Sequence, residues 1–127
     1  RLLNICNSEK AIREGVFFDL TYANLAGWVF NEHKQYAFLR KQDDELILIM
    51  VNFDSIPARS AVNIPQHAFD YLGIHRYGEY EATELLTGNT WKNSEIQAIV
   101  SHHRLLRLTQ IQIEISNKSY FNLCNLW

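Results

Sequence analysis

The chain has 127 residues, of which 47% are hydrophobic and 20% charged, with a formal net charge of −2. This size and composition predict one soluble globular domain with a single real core and exclude a disordered chain. The charge offers no footprint for nucleic acid or an anionic membrane surface, and without an 18-residue apolar run nothing is expected to span a membrane.

Arg1-Leu2-Leu3 opens the chain with neither a methionine nor a signal-peptide pattern, which predicts a piece of a longer polypeptide. Leu2, Leu3, Ile5 and Cys6 suit the end of a helix. Asn7-Ser8 interrupts it, and Ser8 is placed to cap a short turn that runs through Arg13 and stops at Gly15. So short an amphipathic segment cannot bury its apolar face alone, so it is expected to pack against something upstream.

Val16 to Leu20 reads as a first strand, and Thr21 to Lys34 as a longer connection holding Tyr22, Trp28 and Phe30. Tyr36 to Phe53 is the clearest structural statement in the chain. Tyr36, Phe38 and Arg40 alternate with Ala37, Leu39 and Lys41, the two-residue period of a strand. Gln42-Asp43-Asp44 supplies a turn. Leu46 to Val51 then runs apolar without a break, as a strand buried on both faces does. Asp54 to Pro57 reads as a turn and Arg59 to Ile64 as another strand. Pro65 fits the start of a short helix that carries Phe69 and Leu72 and closes at Gly73.

Glu81 to Leu86 reads as a strand that turns at Thr87-Gly88-Asn89. Its partner is expected near Trp91 and Ile96 to Val100. Leu105 to Leu108, Ile111 to Ile115 and Tyr120 to Leu126 supply the last strands. The sum predicts an all-β, antiparallel Greek-key β-sandwich of seven or eight strands, with a short N-terminal helical remnant.

Chemistry is sparse. The fourteen carboxylates are scattered, and the run Asp43-Asp44-Glu45 falls in a turn where solvation is the expected state. His102-His103 is the one histidine cluster, and neighbours on a strand point to opposite faces, so they do not converge on a metal. No GxSxG elbow, P-loop or dinucleotide fingerprint occurs. Cys6 and Cys124 lie near opposite ends; their apolar neighbours favour two free, buried thiols, with a pairing between them as the alternative. No catalytic residue, metal ligand or cofactor site is expected. The aromatics are the remaining signal: Trp28, Trp91 and Tyr77 fall in or near loops, where flat rings stack on sugar rings and would make an independent carbohydrate-binding module. The competing reading has them plug the ends of the sandwich or pack on a neighbouring domain.

One resemblance is more specific. Ala11-Ile12-Arg13-Glu14-Gly15, the hairpin QYAFLRKQDDELILIMVNF with Arg40, Asn52 and Phe53, the stretch VNIPQHAFDYLGI, and Leu85-Leu86-Thr87-Gly88 occur in an order that resembles the C-terminal β domain of the α-amylase superfamily of glycoside hydrolases. The likeness covers residues 1 to 90 and fades beyond Trp91. It implies that residues 1–14 end the last helix of a catalytic barrel and its junction, and that residues 15–127 are the accessory β-sandwich. The catalytic carboxylates of such an enzyme sit on the barrel, which takes about 250 residues, so none is carried over to this chain. The implied partners are that upstream barrel and, in some members, α-glucan. An apolar patch uncovered without the barrel, including Leu2, Leu3 and Ile5, would promote self-association.

Overall fold

The computed structural model describes residues 1–25, 30–56, 58–59, 62–74, 79–92, 99–100 and 103–111. Two short helices, α1 (Leu2–Ser8) and α2 (Lys10–Glu14), lead into β1 (Val16–Asp19) and a single 3₁₀ turn at Thr21–Asn24. The hairpin follows as β2 (Gln35–Gln42) and β3 (Glu45–Asn52). Then come β4 (Ala58–Arg59), α3 (Gln66–Leu72), β5 (Glu79–Glu84), β6 (Thr90–Lys92), β7 (Ile99–Val100) and β8 (His103–Ile111). Six strands hydrogen-bond in the order β1-β2-β3-β8-β5-β6, and β4 pairs with β7 apart from them. Every pairing is antiparallel.

The β2–β3 hairpin holds its register along its whole length, from Gln35 opposite Asn52 to Gln42 opposite Glu45. Asp43 takes the left-handed conformation that the two-residue loop requires, with φ 50°. Aspartate tolerates that region better than most residues because its short polar side chain bonds locally.

The alternation in β2 and β3 sorts side chains onto two faces of the sheet. One face is the main core: Phe18, Ala37, Leu39, Leu46, Leu48 and Met50 pack with Val62, Ile64 and the Ala68, Phe69 and Leu72 side of α3. Ile47 and Ile49 point the other way and join Ile5 and Ala11 of the leader helices in a second cluster. The unbroken apolar run of β3 is thereby explained, because both of its faces are covered.

Several expectations need correction. Ser8 ends α1, its hydroxyl donating to the Ile5 carbonyl at 3.2 Å, and Glu9 holds the cap position of α2. Gly15 sits at φ −68°, which any residue adopts. Its requirement is space, because a Cβ there would lie 2.3 Å from the Ala11 carbonyl oxygen and 2.9 Å from that of Lys41. Of the strand expected over residues 59–64, Arg59 belongs to β4, residues 60–61 lie outside the described residues, and residues 62–64 are not strand. Val62 and Ile64 are buried, but the Asn63 backbone between them bonds to the Asn24 side chain instead of to a strand. The strand expected to Leu86 ends at Glu84, so Leu85, Leu86 and Thr87 form the turn. The two runs read around Leu105 and Ile111 belong to one strand, β8. Ile96, most of Ile111–Ile115 and the whole Tyr120–Leu126 run lie outside the described residues.

Candidate docking face

The second face of the sheet is the most distinctive surface among the described residues. Tyr36, Phe38 and Arg40 of β2 project onto it, beside Ile47, Ile49 and Val51 of β3 and Phe17 and Asp19 of β1. Antiparallel register sets Phe17 opposite Arg40 and Phe38 opposite Ile49. Three rings run together across it. Phe17 and Phe38 have centroids 5.2 Å apart, and Phe38 and Tyr36 5.4 Å, both tilted. These are the distances at which aromatic pairs attract beyond simple area burial. Burial pushes the Tyr36 hydroxyl above its ordinary pKa, with the Asp19 carboxylate adding to the shift.

The leader helices cover only part of this face. Ile5 and Ala11 are buried against Ile47 and Ile49, while Phe17 stays 44% exposed and Leu3 78%. Between α1 and the sheet lies a partly open cavity of about 450 Å³, bounded by Leu2 and Cys6 on one side and by Phe38, Ile49 and Val51 on the other. Its lining is apolar apart from the Cys6 thiol and the Arg40 guanidinium. Cys6 is a free thiol but only half-buried, at the cavity wall rather than in the core.

What fixes the leader on the sheet is a set of polar ties. Arg40 donates from Nε to the Ala11 carbonyl at 3.1 Å and from Nη2 to the Ile12 carbonyl at 2.8 Å. The Glu45 carboxylate accepts from the Ala11 N–H. Lys10 and Asp43 form an ion pair at 2.8 Å. The acidic run Asp43-Asp44-Glu45 is therefore not simply a solvated turn. The turn lies against α2, so two of its three carboxylates find donors there. Periodicity in the sequence carries no trace of this. The signal was the pairing of a strand arginine with a glycine-terminated helical segment.

Asn52, the last residue of β3, is 4% exposed. Its amide donates to the Ile56 carbonyl at 3.0 Å and accepts from the Asp54 N–H at 3.0 Å, which fixes the turn beyond the strand. Phe53, next to it, is 73% exposed.

Trp28 and Tyr77 lie outside the described residues, and Trp91 belongs to β6, opposite Ala82 of β5. Cys124 and His102 also lie outside them, and His103 begins β8. No group of three His, Cys, Asp or Glu side chains among the described residues is close enough to hold a metal ion, and no described helix is long and apolar enough to cross a membrane. The face offers apolar contact, an aromatic ladder and the Arg40 guanidinium, which suits docking. No family model matches the chain, and no curated protein matches it.

Proposed function

We propose that this chain is the non-catalytic C-terminal β domain of an α-amylase-type glycoside hydrolase, docked through its outer sheet face onto the catalytic barrel that precedes it. In this reading the strands complete an antiparallel Greek-key sandwich. Their role is to cover the barrel's apolar surface, and the parent hydrolyses or transfers α-glucosidic bonds by the retaining route with carboxylates held on the barrel.

One observation carries the reading. Two of the motifs on which the resemblance rests, the junction and the hairpin, are far apart in the chain, yet they meet in one hydrogen-bonded clamp. Ala11 and Ile12 of the junction present their carbonyls to Arg40 of the hairpin, and Gly15 permits the close passage between Ala11 and Lys41. A junction that joins two domains needs such a rigid seat, because interdomain motion is the default unless the connection is held. The exposed side chains of Leu3 and Phe17, with the half-buried Phe38, then continue the apolar surface toward the barrel.

Determining the residues encoded upstream of Arg1 tests this. A (β/α)₈ barrel ending in a helix that runs into Leu2–Ser8 is the expected result. An unrelated domain there, or hydrolysis of soluble starch by the 127-residue chain alone, overturns it.

A further inference from the structure

The cavity between α1 and the sheet has a cation in its wall that meets no counter-ion. Lys10, Arg13 and Lys34 each face a carboxylate, at 2.8, 3.7 and 2.7 Å. Arg40 is half-buried and pairs with no carboxylate among the described residues. The carboxylates that touch the leader are engaged elsewhere, Glu45 by the Ala11 N–H and Asp43 by Lys10. Arg40 spends its Nε N–H and one Nη2 N–H on the Ala11 and Ile12 carbonyls, which bring no net charge. Its Nη1 donors and the second N–H of Nη2 have no acceptor among the described residues. Beside this guanidinium the cavity wall is apolar, with Ile12, Phe38, Ile49 and Val51 facing Leu2 and Cys6.

We propose that this cavity binds a monocarboxylate with an aliphatic tail, its head on the free edge of the Arg40 guanidinium and its tail against Phe38, Ile49 and Val51. Two parallel N–H groups on one edge of a guanidinium match the two oxygens of a carboxylate. Apolar surroundings strengthen that attraction over its value in water. Arg40 is the one charged residue of the lining, so a singly charged head matches it, whereas a phosphate dianion would bury a charge with no partner. The rest of the wall selects the tail, because each buried methylene adds to binding and a sugar hydroxyl there would find no hydrogen bond. A volume of about 450 Å³ lies within the ~300–1,000 Å³ of small-ligand pockets. The bonds to Ala11 and Ile12 hold the guanidinium in place before a ligand arrives, which lowers the ordering cost of binding. The pocket is made by this chain's own side chains, so the proposal does not rest on the docking reading.

Isothermal titration of the 127-residue chain with octanoate, and with 1-octanol and acetate beside it, tests the pocket. Octanoate is expected to bind. The alcohol, which keeps the tail and lacks the charge, should bind about tenfold more weakly or less, and acetate weaker still. Arg40→Met should bring octanoate down to the affinity of the alcohol. Cys6→Phe, which fills the cavity from its half-buried wall, should abolish binding while leaving Arg40 in place. Should either variant unfold, methyl resonances of the unaltered chain give the second reading. Those of Ile12, Ile49 and Val51 must move on titration with octanoate, and those of Val62 and Ile64 in the main core must not. No binding of octanoate, equal affinity for 1-octanol, unchanged affinity in a folded Arg40→Met chain, or unmoved Ile12, Ile49 and Val51 methyls overturns the proposal. Such a failure leaves the residues upstream of Arg1, and the reading they test, untouched.

Discussion

The Arg40 guanidinium reaches the Ile12 carbonyl at 2.8 Å, and with its Nε holds that of Ala11, so one strand side chain anchors the leader to the sheet. Both carbonyls lie in the last turn of α2, where main-chain donors run short, and that of Ala11 also accepts from the Gly15 N–H at 3.0 Å. A cation there also complements the helix dipole.

Arg40→Met keeps much of the stem and removes both bonds. It should cost about 1.5–3 kcal/mol, the worth of a hydrogen bond to a charged partner, because the Ile12 carbonyl loses its side-chain donor while that of Ala11 keeps the Gly15 N–H. Arg40→Lys should recover less than half of that, since a single ammonium does not span two carbonyls as the planar fork does. Urea unfolding of the two variants beside the parent checks both figures.

Gly15→Ala isolates a steric cost. The backbone there is ordinary, so no conformational penalty applies, and the new methyl meets the carbonyl oxygens of Ala11 and Lys41. Neither is a flexible side chain that gives way. The expected loss is about 1–3 kcal/mol, and alanine's smaller unfolded-state entropy offsets less than 1 kcal/mol of it. A variant as stable as the parent would mean that the clamp does not hold α2 this close to the hairpin.

The ion pair of Lys10 with Asp43 has a defined pH window. The hydrogen bond from Lys10 holds the Asp43 carboxyl below its ordinary 3.8, and the same bond raises Lys10 above its ordinary 10.5. A depressed carboxyl pKa stabilises the fold above its unfolded value, and this contribution is lost as pH falls through the folded value. A raised lysine pKa stabilises below its unfolded value and is lost as pH rises through the folded one. Asp43→Asn, which still tolerates the left-handed backbone, should therefore lower the melting temperature slightly at neutral pH. The difference should shrink with added salt and vanish only once the pH has fallen through the folded-state value of Asp43, which lies below 3.8. Paired thermal melts across pH and salt measure it.

The fold was legible where the residue pattern is local. The period of two in Tyr36–Lys41, the Gln42–Asp44 turn and the apolar run of β3 placed the hairpin. Pro65 and Gly73 bounded α3, with Gly73 in the left-handed cap at φ 62°. What stayed hidden depends on contacts between distant residues. Asn24 is 6% exposed and lies in what reads as a loop. Its amide donates to the Leu20 and Asn63 carbonyls at 2.7 and 3.0 Å, and its carbonyl accepts from the Asn63 N–H at 2.6 Å. One side chain thus stands in for a neighbouring strand, 39 residues along the chain, and no spacing rule signals that. Of the leader's apolar residues, Leu2 and Leu3 are exposed as the sequence suggests, whereas Ile5 is buried on Ile47 and Ile49. The contribution of Phe17 and Phe38 was not legible, because ring contacts across strands require the register.

Asn24→Ala follows directly. It strands the Asn63 N–H and carbonyl in a part-buried setting, at about 2–3 kcal/mol in all, while the Leu20 carbonyl keeps the Ala23 N–H. The loss should exceed that of an exposed polar substitution such as Gln66→Ala several-fold, as equilibrium unfolding would reveal.

The exposed part of the docking face predicts behaviour in solution. The chain alone should self-associate with concentration, and Leu3→Ser with Phe17→Ser should abolish this while changing stability by less than about 1 kcal/mol. Sedimentation velocity over a hundredfold range of concentration distinguishes the two chains.

Hydroxyl-radical footprinting of the full-length parent polypeptide, set beside the 127-residue chain, tests the docked accessory domain most directly. Leu3, Phe17, Tyr36 and Phe38 should be labelled in the chain alone and protected in the parent, while Tyr22 and Tyr71 stay reactive in both. Equal labelling of Phe17 and Phe38 in the two forms would contradict docking through this face.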